Sequence, residues 1–477
     1  MTSLWLGTAN GRVGDERAAR EQPRIDHVAP GRADVVVVGA GLAGLLTAWR
    51  LVGRGADVVV LEAVAPAAQT TGHTTAKITA LHGAIYSKLS QRLGAEAAAI
   101  YATANEQAVH ELVALIRGQQ IECDLTAADA YTVAETPKGR AAIEQEAIAA
   151  AAAGLPVVLQ SDLGLPFDVT TSVCLRDQAH FHPVRFCLGL TDALRASGAV
   201  VVAPARVHAV DEHRDGCEVR SDAGDIHARA VVLATHLPIV DPALLAARLR
   251  PERSYALAGD SSLDLPRGMY LSIDREWSMR PAPSLSDSAF IVGGQGHSMV
   301  DHVDTVRHFA ALDGEARQRF GVERAAYRWT AFDYVTTDRV PYIGRLAPGS
   351  ERRFVATGFG KWGMTTSMVA ANLIADLVDG RENPYAELFD ATRVRRSVAN
   401  SEFASNSAKV AKRFVLGRVR TSGGQTLEPG TGCIERRGLR TVAVARDLEG
   451  TLHSVTAQCT HLGCIVGFND AEQFTTL

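Results

Sequence analysis

The chain has 477 residues, of which 47% are hydrophobic and 21% are charged, a composition typical of a folded globular protein and not of a disordered or collagen-like chain. Its 49 Lys and Arg residues nearly balance its 53 Asp and Glu residues, and the net charge is −4. This balance gives no bulk positive field that would attract nucleic acid or an anionic membrane surface. We therefore expect a small-molecule substrate and no nucleic-acid partner.

The N-terminal region mixes charged residues with few apolar ones, and we expect residues 1–32 to form a disordered tail without a secretory signal. The longest uncharged stretch near this end, 35–49, contains three glycines. It is also shorter than the roughly 20 apolar residues that a membrane-spanning helix needs. The sequence therefore predicts no membrane span and a cytoplasmic protein.

Hydrophobic patterns predict an α/β architecture. Short β-branched runs predict strands at 35–38, 58–61, 200–202, 231–233 and 354–356. Helical periodicity predicts helices at 89–117, 138–153, 183–197 and 364–378. Because the strands are far apart in the chain, we expect a Rossmann-like nucleotide-binding domain that is interrupted by an α+β substrate domain.

The first motif is a glycine-rich turn between a strand and a helix. Gly39, Gly41 and Gly44 follow the first β-run, and Glu62 ends the second run about 20 residues later, as in dinucleotide-binding βαβ units. Gly39 allows the tight turn, Gly41 lets the backbone approach a pyrophosphate, and Gly44 lets the helix pack closely on the strand. We expect Glu62 to accept hydrogen bonds from an adenosine ribose. The motif alone does not separate NAD from FAD.

A second glycine-rich turn bears on that choice. Gly358, Gly360 and Gly363 lie between a strand and a helix, and the segment 338–344 (DRVPYIG) precedes them. This closing segment resembles that of the D-amino-acid-oxidase-like family of FAD enzymes, and the resemblance covers roughly 33–390. It implies an FAD cofactor, with the turn and Met364 presenting backbone N–H groups and a helix N-terminus to the flavin ring.

The segment 70–83 (TTGHTTAKITALHG) is more specific. It looks like the segment found in the bacterial branch of this family that is fused to a C-terminal Rieske domain. By this resemblance, Thr74, Thr75 and Lys77 contact the flavin or its pyrophosphate, and Val207 contacts the adenine. The alternative for the three polar residues is a surface loop without a ligand.

A third motif lies near the C-terminal end. Cys459 and His461 resemble the first cluster-binding box of Rieske [2Fe–2S] proteins, in which a Cys and a His ligate different irons. Cys464 matches the cysteine that forms a disulfide bond in many Rieske proteins. A second box needs another Cys and His, and neither occurs after Cys464. We therefore expect a domain that is truncated after its first box and that would not hold a cluster alone. The alternative of a zinc site fits less well, because the sequence lacks the paired CxxC spacing.

The resemblance also divides the chain into domains. The oxidoreductase covers 33–395. Its FAD-binding parts lie at 33–90, 180–240 and 336–390, and its substrate parts lie at 91–179 and 241–335. A linker over 396–413 and an incomplete small all-β Rieske-like domain over 414–477 follow it. Short runs at 440–446 and 452–456 predict strands in this last region.

The substrate is the least determined part of this prediction. Family members that act on amino acids usually carry an Arg that holds the substrate carboxylate by paired hydrogen bonds. Aligned back from Asp338, this place falls on Asp333, which favours an amine or cationic substrate. The resemblance places five residues near the pocket, and packing or a surface position is the alternative role for each: Tyr255, His297, Tyr334, Arg339 and Trp362. All of them except Arg339 are candidate catalytic groups.

From these motifs we predict an FAD-dependent oxidoreductase that removes a hydride from a small amine, amino acid or alcohol. In intact relatives the Rieske module would carry the electrons, with an acceptor protein as a further partner. One alternative is an oxidase that passes electrons directly to O₂. Another is a flavin-binding remnant without turnover.

Overall fold

The computed structural model describes residues 1–9, 29–299, 304–393, 427–437, 440–447, 449–457, 467–469 and 474–476. Its helices are α1 (Leu4–Gly7), α2 (Leu42–Val52), α3 (Tyr86–Leu93), α4 (Ala95–Gly118), α5 (Pro137–Ala152), α6 (Pro183–Ala196), α7 (Thr305–Phe320), α8 (Gly363–Val378) and α9 (Ala386–Phe389). Its strands are β1 (Arg32–Val38), β2 (Val58–Leu61), β3 (Lys77–Ile78), β4 (Thr126–Ala134), β5 (Val158–Gln160), β6 (Thr171–His180), β7 (Val200–Val202), β8 (Val207–Glu212), β9 (Cys217–Ser221), β10 (Gly224–Leu233), β11 (Leu249–Asp260), β12 (Met269–Ser272), β13 (Ser278–Pro281), β14 (Ala289–Ser298), β15 (Tyr327–Thr336), β16 (Tyr342–Arg345), β17 (Arg353–Thr357), β18 (Gly432–Arg437), β19 (Arg440–Arg446), β20 (Leu452–Thr456), β21 (Gly467–Asn469) and β22 (Phe474–Thr476).

The first sheet is the nucleotide-binding sheet. Its strand order is β16-β17-β10-β1-β2-β7, with β9 paired to β10 and β8 to β9. The five strands predicted from β-branched runs pair in parallel with one another. Val35 and Val37 pack with α2 and α8 on one face, while Val36 and Val38 pack on the other, so these strands are apolar on both sides. The α/β prediction is confirmed.

The second sheet forms the substrate side of the molecule. Its order is β15-β11-β14-β13-β12-β4-β6-β3, and β5 pairs with β6. On one face, Tyr255 and Phe290 pack under Phe309 of α7. On the other face, Ala256 and Ile291 pack in the same cluster as α2 and α8. The second sheet therefore presents apolar residues toward the nucleotide-binding unit.

Most predicted helices are confirmed within one or two residues, and one is not. The run at 89–117 predicts a single helix, whereas the structure has α3 and α4 with a break at Gly94. Gly94 has φ of 94°, a left-handed conformation that favours glycine and that an α-helix cannot contain. The chain therefore turns between the two helices, and periodicity on both sides hides the break.

The expectation of a disordered N-terminal tail is wrong for residues 1–9. Leu4 and Trp5 of α1 are fully buried. The Ser3 hydroxyl donates to the Gly72 carbonyl at 2.5 Å, and the Trp5 indole donates to the Thr74 carbonyl at 2.6 Å. Two buried apolar side chains and two hydrogen bonds to the cofactor segment anchor these residues, which precede the charged part of the N-terminal region.

The C-terminal region contains short antiparallel strands. β18, β19 and β20 form a three-stranded sheet, and β21 pairs with β22. The predicted strands at 440–446 and 452–456 are confirmed as β19 and β20. Cys459, His461 and Cys464 lie outside the described residues.

Candidate active site

A cavity of about 1380 Å³ is lined by loops that follow β1, β2, β10 and β17 and by residues of β11, β14 and β15. It exceeds the roughly 300–1,000 Å³ of an ordinary ligand pocket, so it has room for a large cofactor together with a substrate. The residues predicted to bind the cofactor or to act in catalysis that line it are Gly39, Gly41, Glu62, Thr74, Thr75, Lys77, Val207, Tyr255, His297, Tyr334, Gly358, Gly360, Trp362, Gly363 and Met364. Gly44 packs behind this wall.

The first glycine turn is tightly closed. Gly39 has φ of 105°, and its N–H donates to the Leu61 carbonyl at 2.8 Å. A Cβ at Gly39 would lie 2.6 Å from the Ala234 carbonyl oxygen, and a Cβ at Gly44 would lie 1.9 Å from the Gly39 oxygen. Larger residues would therefore separate α2 from β1 and push the turn away from the cavity.

Glu62 holds this turn from the end of β2. Its carboxylate accepts hydrogen bonds from the N–H groups of Ala40 at 2.8 Å and Val64 at 2.9 Å. Burial raises the pKa of Glu62 in spite of these hydrogen bonds. Thr71, which the sequence did not single out among its neighbouring threonines, accepts from the N–H of Leu42 at the start of α2.

The second glycine turn is fixed to the substrate sheet. Gly360 has φ of 58° and donates its N–H to the Tyr334 carbonyl at 3.0 Å. Trp362 stacks on the imidazole of His82, with ring centroids 4.5 Å apart. Burial lowers the pKa of His82 to about 3, so this imidazole is neutral and supports Trp362 as a flat, uncharged wall.

Hydrogen bonds fix the orientation of the Asp333 carboxylate on the cavity wall. Its carboxylate accepts from the N–H groups of Tyr334 at 2.7 Å and Lys361 at 2.5 Å, and from His236 Nε2 at 2.8 Å. The other ring nitrogen of His236 lies 3.2 Å from the Thr70 hydroxyl. Three donors hold the carboxylate in place, and the expectation that Asp333 favours an amine or cationic substrate stays a prediction.

A group of basic residues surrounds Glu252 on the cavity wall, and of these the family resemblance placed only Arg339 near the pocket. Arg250 donates to one carboxylate oxygen of Glu252 at 2.5 Å, and Lys361 Nζ lies 3.0 Å from the other. Burial alone would raise the pKa of Glu252, but Lys361, Arg250 and Arg339 hold it below its usual value. Since three cations stand against the two carboxylates of Glu252 and Asp333, this part of the wall has a net positive charge.

Two of the predicted catalytic residues contact each other. The Tyr255 hydroxyl lies 3.0 Å from His297 Nε2, and His297 Nδ1 lies 3.0 Å from the Ser298 carbonyl. A carbonyl can only accept, so Nδ1 carries the proton of the neutral ring and Nε2 accepts from Tyr255. Tyr334 instead packs against His236, with ring centroids 4.7 Å apart.

The residues present fit an FAD molecule. The cavity extends from Glu62 and Val207 past the first glycine turn to the second turn and Trp362. The glycines bring backbone N–H groups to its surface, where a side chain would intrude. In the described part of the chain, no helix is both long and apolar enough to cross a membrane.

The described cysteines and histidines do not form a metal centre. Cys123, Cys174, Cys187 and Cys217 are buried free thiols, and Cys433 is partly exposed. Across the described ranges, no three His, Cys, Asp or Glu residues group in a way that could hold a metal ion.

Comparison with known proteins agrees with this geometry. The model of the family "FAD dependent oxidoreductase" (DAO) matches residues 34–377. The chain is 33% identical to the protein YhfW of Bacillus subtilis (strain 168), over 92% of this chain and 87% of that one; its name assigns it provisionally to the Rieske 2Fe-2S iron-sulfur proteins. It is 26% identical to gamma-glutamylputrescine oxidoreductase of Escherichia coli (strain K12), over 75% of this chain and 85% of that one.

Among solved structures, glycine oxidase from Geobacillus kaustophilus superposes with a TM-score of 0.66 at 18% identity, covering 77% of this chain and all of that one. This likeness shows the fold. The two glycine turns and the cavity between the sheets define a flavin-dependent oxidoreductase. The chain belongs to the DAO family of FAD-dependent oxidoreductases, and its cofactor is FAD.

Proposed function

We propose that the protein is a dehydrogenase that oxidises a carbon–nitrogen bond in a small amino acid or a related carboxylate-bearing amine. The observation that carries this proposal is the positive wall formed by Arg250, Lys361 and Arg339 around Glu252. A guanidinium and an ammonium are the usual partners of a carboxylate. Lys361 lies in the second glycine turn, and Arg250 lies on β11, which pairs with the β15 strand that carries Asp333, the place where the resemblance puts the substrate Arg.

Bound FAD supplies the hydride acceptor. Arg250 and Lys361 orient the substrate by its carboxylate, which sets its Cα–H bond in one direction. The Tyr255 hydroxyl accepts a proton from the substrate ammonium and at the same time donates its own proton to His297 Nε2. Loss of that proton gives the nitrogen the lone pair that the product imine needs.

The function of the relatives is consistent with this substrate class. The names of gamma-glutamylputrescine oxidoreductase and glycine oxidase describe an amine substrate and an amino-acid substrate. Neither name fixes the substrate of this chain. An alcohol would make no use of the positive wall, and for this reason we rank alcohols below amino acids.

Anaerobic reduction of the purified holoenzyme tests the proposal. Glycine, sarcosine and proline are compared with methylamine, dimethylamine and pyrrolidine, which lack only the carboxylate. We expect the flavin band to bleach with at least one amino acid, at a rate at least tenfold above that of its matched amine. Bleaching by the amines alone, or by none of the six, would contradict the proposal.

The route of the electrons after the flavin needs a separate measurement. One FAD and no iron per chain would show that no cluster is assembled. In that case the flavin is reoxidised by an external acceptor or by O₂, and release of hydrogen peroxide identifies the latter. Two irons per chain would instead show that a cluster is assembled, and would support electron transfer through the C-terminal region.

A further inference from the structure

The basic side chains that line the cavity are held in different ways. Lys77 Nζ donates to the Tyr270 carbonyl at 2.7 Å and to the Ser278 hydroxyl at 2.8 Å, and burial lowers the pKa of Lys77 to about 7. Arg339 is instead exposed, and it lies on the loop 337–341 between β15 and β16. An exposed side chain on a loop has a defined place only where other groups fix the backbone beneath it.

The backbone of Arg339 is in a conformation that a residue with a side chain rarely adopts. Its φ is 66°, in the left-handed region. Its N–H donates to the Thr336 carbonyl at 3.3 Å, which is long for a hydrogen bond and holds the turn only weakly. A residue keeps such a conformation where the surrounding structure determines it. Groups on either side of Arg339 must therefore supply the constraint.

Arg393 supplies this constraint from a position 55 residues after Asp338 in the chain. Its guanidinium donates to both carboxylate oxygens of Asp338, each at 2.9 Å. The same guanidinium donates to the carbonyls of Val340 and Pro341. The Asp338 carboxylate also accepts from the Val340 N–H at 3.1 Å. Asp338 and Val340 are the two neighbours of Arg339, so one guanidinium holds the chain on both sides of it.

Arg393 is itself fixed by its surroundings. The side chains of Asp338 and Arg393 are only 4% and 7% exposed. The Arg393 guanidinium lies 4.2 Å from the centroid of the Tyr342 ring, and the Arg248 guanidinium lies 4.3 Å from it. Arg248 also donates to the Arg393 carbonyl. Because a buried ion pair with two parallel hydrogen bonds allows one geometry, Arg393 and Asp338 form a rigid base for the loop 337–341.

The Arg339 side chain belongs to the positive wall of the cavity. Its charge is one of those that hold the pKa of Glu252 below its usual value, together with the charges of Lys361 and Arg250. An ionised carboxylate has about four lone-pair sites, so a substrate carboxylate can accept from a third cation beside Lys361 and Arg250. The proposed function assigns no role to Arg393, which is not among the described residues that line the cavity.

We propose that Arg393, acting through Asp338, is a positioning residue that holds Arg339 at the substrate carboxylate. This inference rests on the proposed function, because it needs a substrate that bears a carboxylate. Without Arg393, the loop 337–341 loses the hydrogen bonds on both sides of Arg339. The backbone of Arg339 then leaves its left-handed conformation, and the guanidinium no longer ends at the positive wall.

A double-mutant cycle separates this positioning role from a general effect on stability. The holoenzyme is prepared as R339M, R393M and R339M/R393M, and the benzoate Kd is measured from the perturbation of the flavin spectrum after FAD content has been confirmed. R353M is the matched control, because Arg353 also forms an ion pair at 2.9 Å, with Glu212, and neither of these residues lines the cavity. Urea unfolding gives the stability of each variant.

We expect R339M and R393M each to raise the benzoate Kd at least fivefold. In the R339M background, R393M should raise it by less than twofold, because no guanidinium is left to position. R353M should lose stability and keep a benzoate Kd within twofold of wild type. D338N takes the place of R393M in the cycle if R393M does not retain FAD, since D338N breaks the same ion pair and keeps the size of the side chain.

Substrates give a second readout that a merely structural role would not produce. R393M should slow flavin reduction by a subsaturating amino acid at least fivefold and change the rate with its matched amine, which lacks only the carboxylate, by less than twofold. Equal slowing with both compounds would overturn the proposal.

Wild-type benzoate affinity in R339M or in R393M would also overturn the proposal. So would a fivefold effect of R393M that persists in the R339M background, because Arg393 would then act on the site by another route. Failure of the proposed function, in contrast, shows as a flavin that none of the six compounds reduces or that the amines alone reduce. The benzoate cycle needs no turnover and is measured independently of that result.

Discussion

Glu252 sets the charge of the substrate wall, because two cationic side chains bind its carboxylate at once. E252Q removes the negative charge and leaves Arg250 and Lys361 available to a ligand. We expect benzoate, measured by its perturbation of the flavin spectrum, to bind about threefold to tenfold more tightly in E252Q, and K361M to bind it at least tenfold more weakly.

E276Q is the matched control for E252Q, since Glu276 is an exposed carboxylate that lines the same cavity. Its benzoate affinity should remain within twofold of wild type. Equal effects of E252Q and E276Q would mean that the overall charge of the cavity determines binding and that Glu252 has no specific role.

Lys77 should make the apoprotein less stable than a methionine at the same place. Its folded pKa, near 7, is lower than the ordinary value of 10.5, so the unfolded chain holds the proton over a range in which the folded chain has lost it. The penalty is therefore complete below pH 7 and decreases as the pH rises from about 7 toward 10.5.

We expect the free energy of unfolding of the K77M apoprotein to exceed that of the wild-type apoprotein by about 1–3 kcal/mol at pH 6.5, the range seen when buried charges are replaced by apolar residues. The excess should decrease at pH 9. Urea unfolding of both apoproteins at the two pH values measures it. A K77M apoprotein that is less stable than wild type at pH 6.5 would show that the Lys77 hydrogen bonds outweigh the burial of its charge.

At the scale of elements, Asp333 joins the substrate sheet to the carboxyl edge of the nucleotide-binding sheet. Through His236 and the N–H of Lys361 it connects β15 to the loops after β10 and β17, and His236 extends the chain of hydrogen bonds to Thr70 after β2. D333N removes the negative charge that accepts these hydrogen bonds. It also replaces one carboxylate oxygen by an NH₂ group, which faces N–H donors and cannot accept from them.

We expect D333N to raise the FAD Kd at least tenfold, as measured by the recovery of FAD fluorescence on dilution. The matched control is D222N, because Asp222 also binds a histidine, His208 at 2.6 Å, but on the surface. D222N should bind FAD as wild type does. Equal FAD affinity in D333N and wild type would show that the loops hold the cofactor without this connection.

The sequence predicted the elements of the nucleotide-binding sheet better than those of the substrate sheet, for a physical reason. Parallel strands buried on both faces are uninterrupted β-branched runs, and 58–61 is an example. β11 has instead Arg250, Glu252 and Ser254 on the face toward the cavity. Polar residues that face a ligand look like surface residues, so neither this strand nor its partner in the sheet could be identified from the pattern.

The site shows the same division. Glycines that must let a backbone approach follow a fixed spacing, so both glycine turns could be found from the sequence. Lys77 and Lys361 instead interact with residues more than a hundred positions away in the chain. Only the pairing of β3 with β6 and the course of β11 bring these groups together, and no local pattern encodes that.

At the scale of the whole molecule, the first nine residues connect the cofactor segment to the substrate sheet. The buried Trp5 indole donates to the Thr74 carbonyl, and its ring lies 4.9 Å from the Arg280 guanidinium. W5A should lower the free energy of unfolding by about 3–5 kcal/mol, as for other buried Trp residues. Because Thr74 then loses its donor, we also expect the FAD Kd to rise at least tenfold.

A variant of Trp277 separates the loss of stability from the loss of FAD affinity. It is equally buried, and its indole donates to Glu135 at 2.6 Å, but it packs under α7 and does not line the cavity. W277A should therefore lose similar stability while its FAD Kd, measured at a temperature at which both variants are folded, remains within twofold of wild type. If the two variants lose FAD to the same extent, the cofactor responds to global stability alone. If only W5A does, the N-terminal segment is part of the cofactor site.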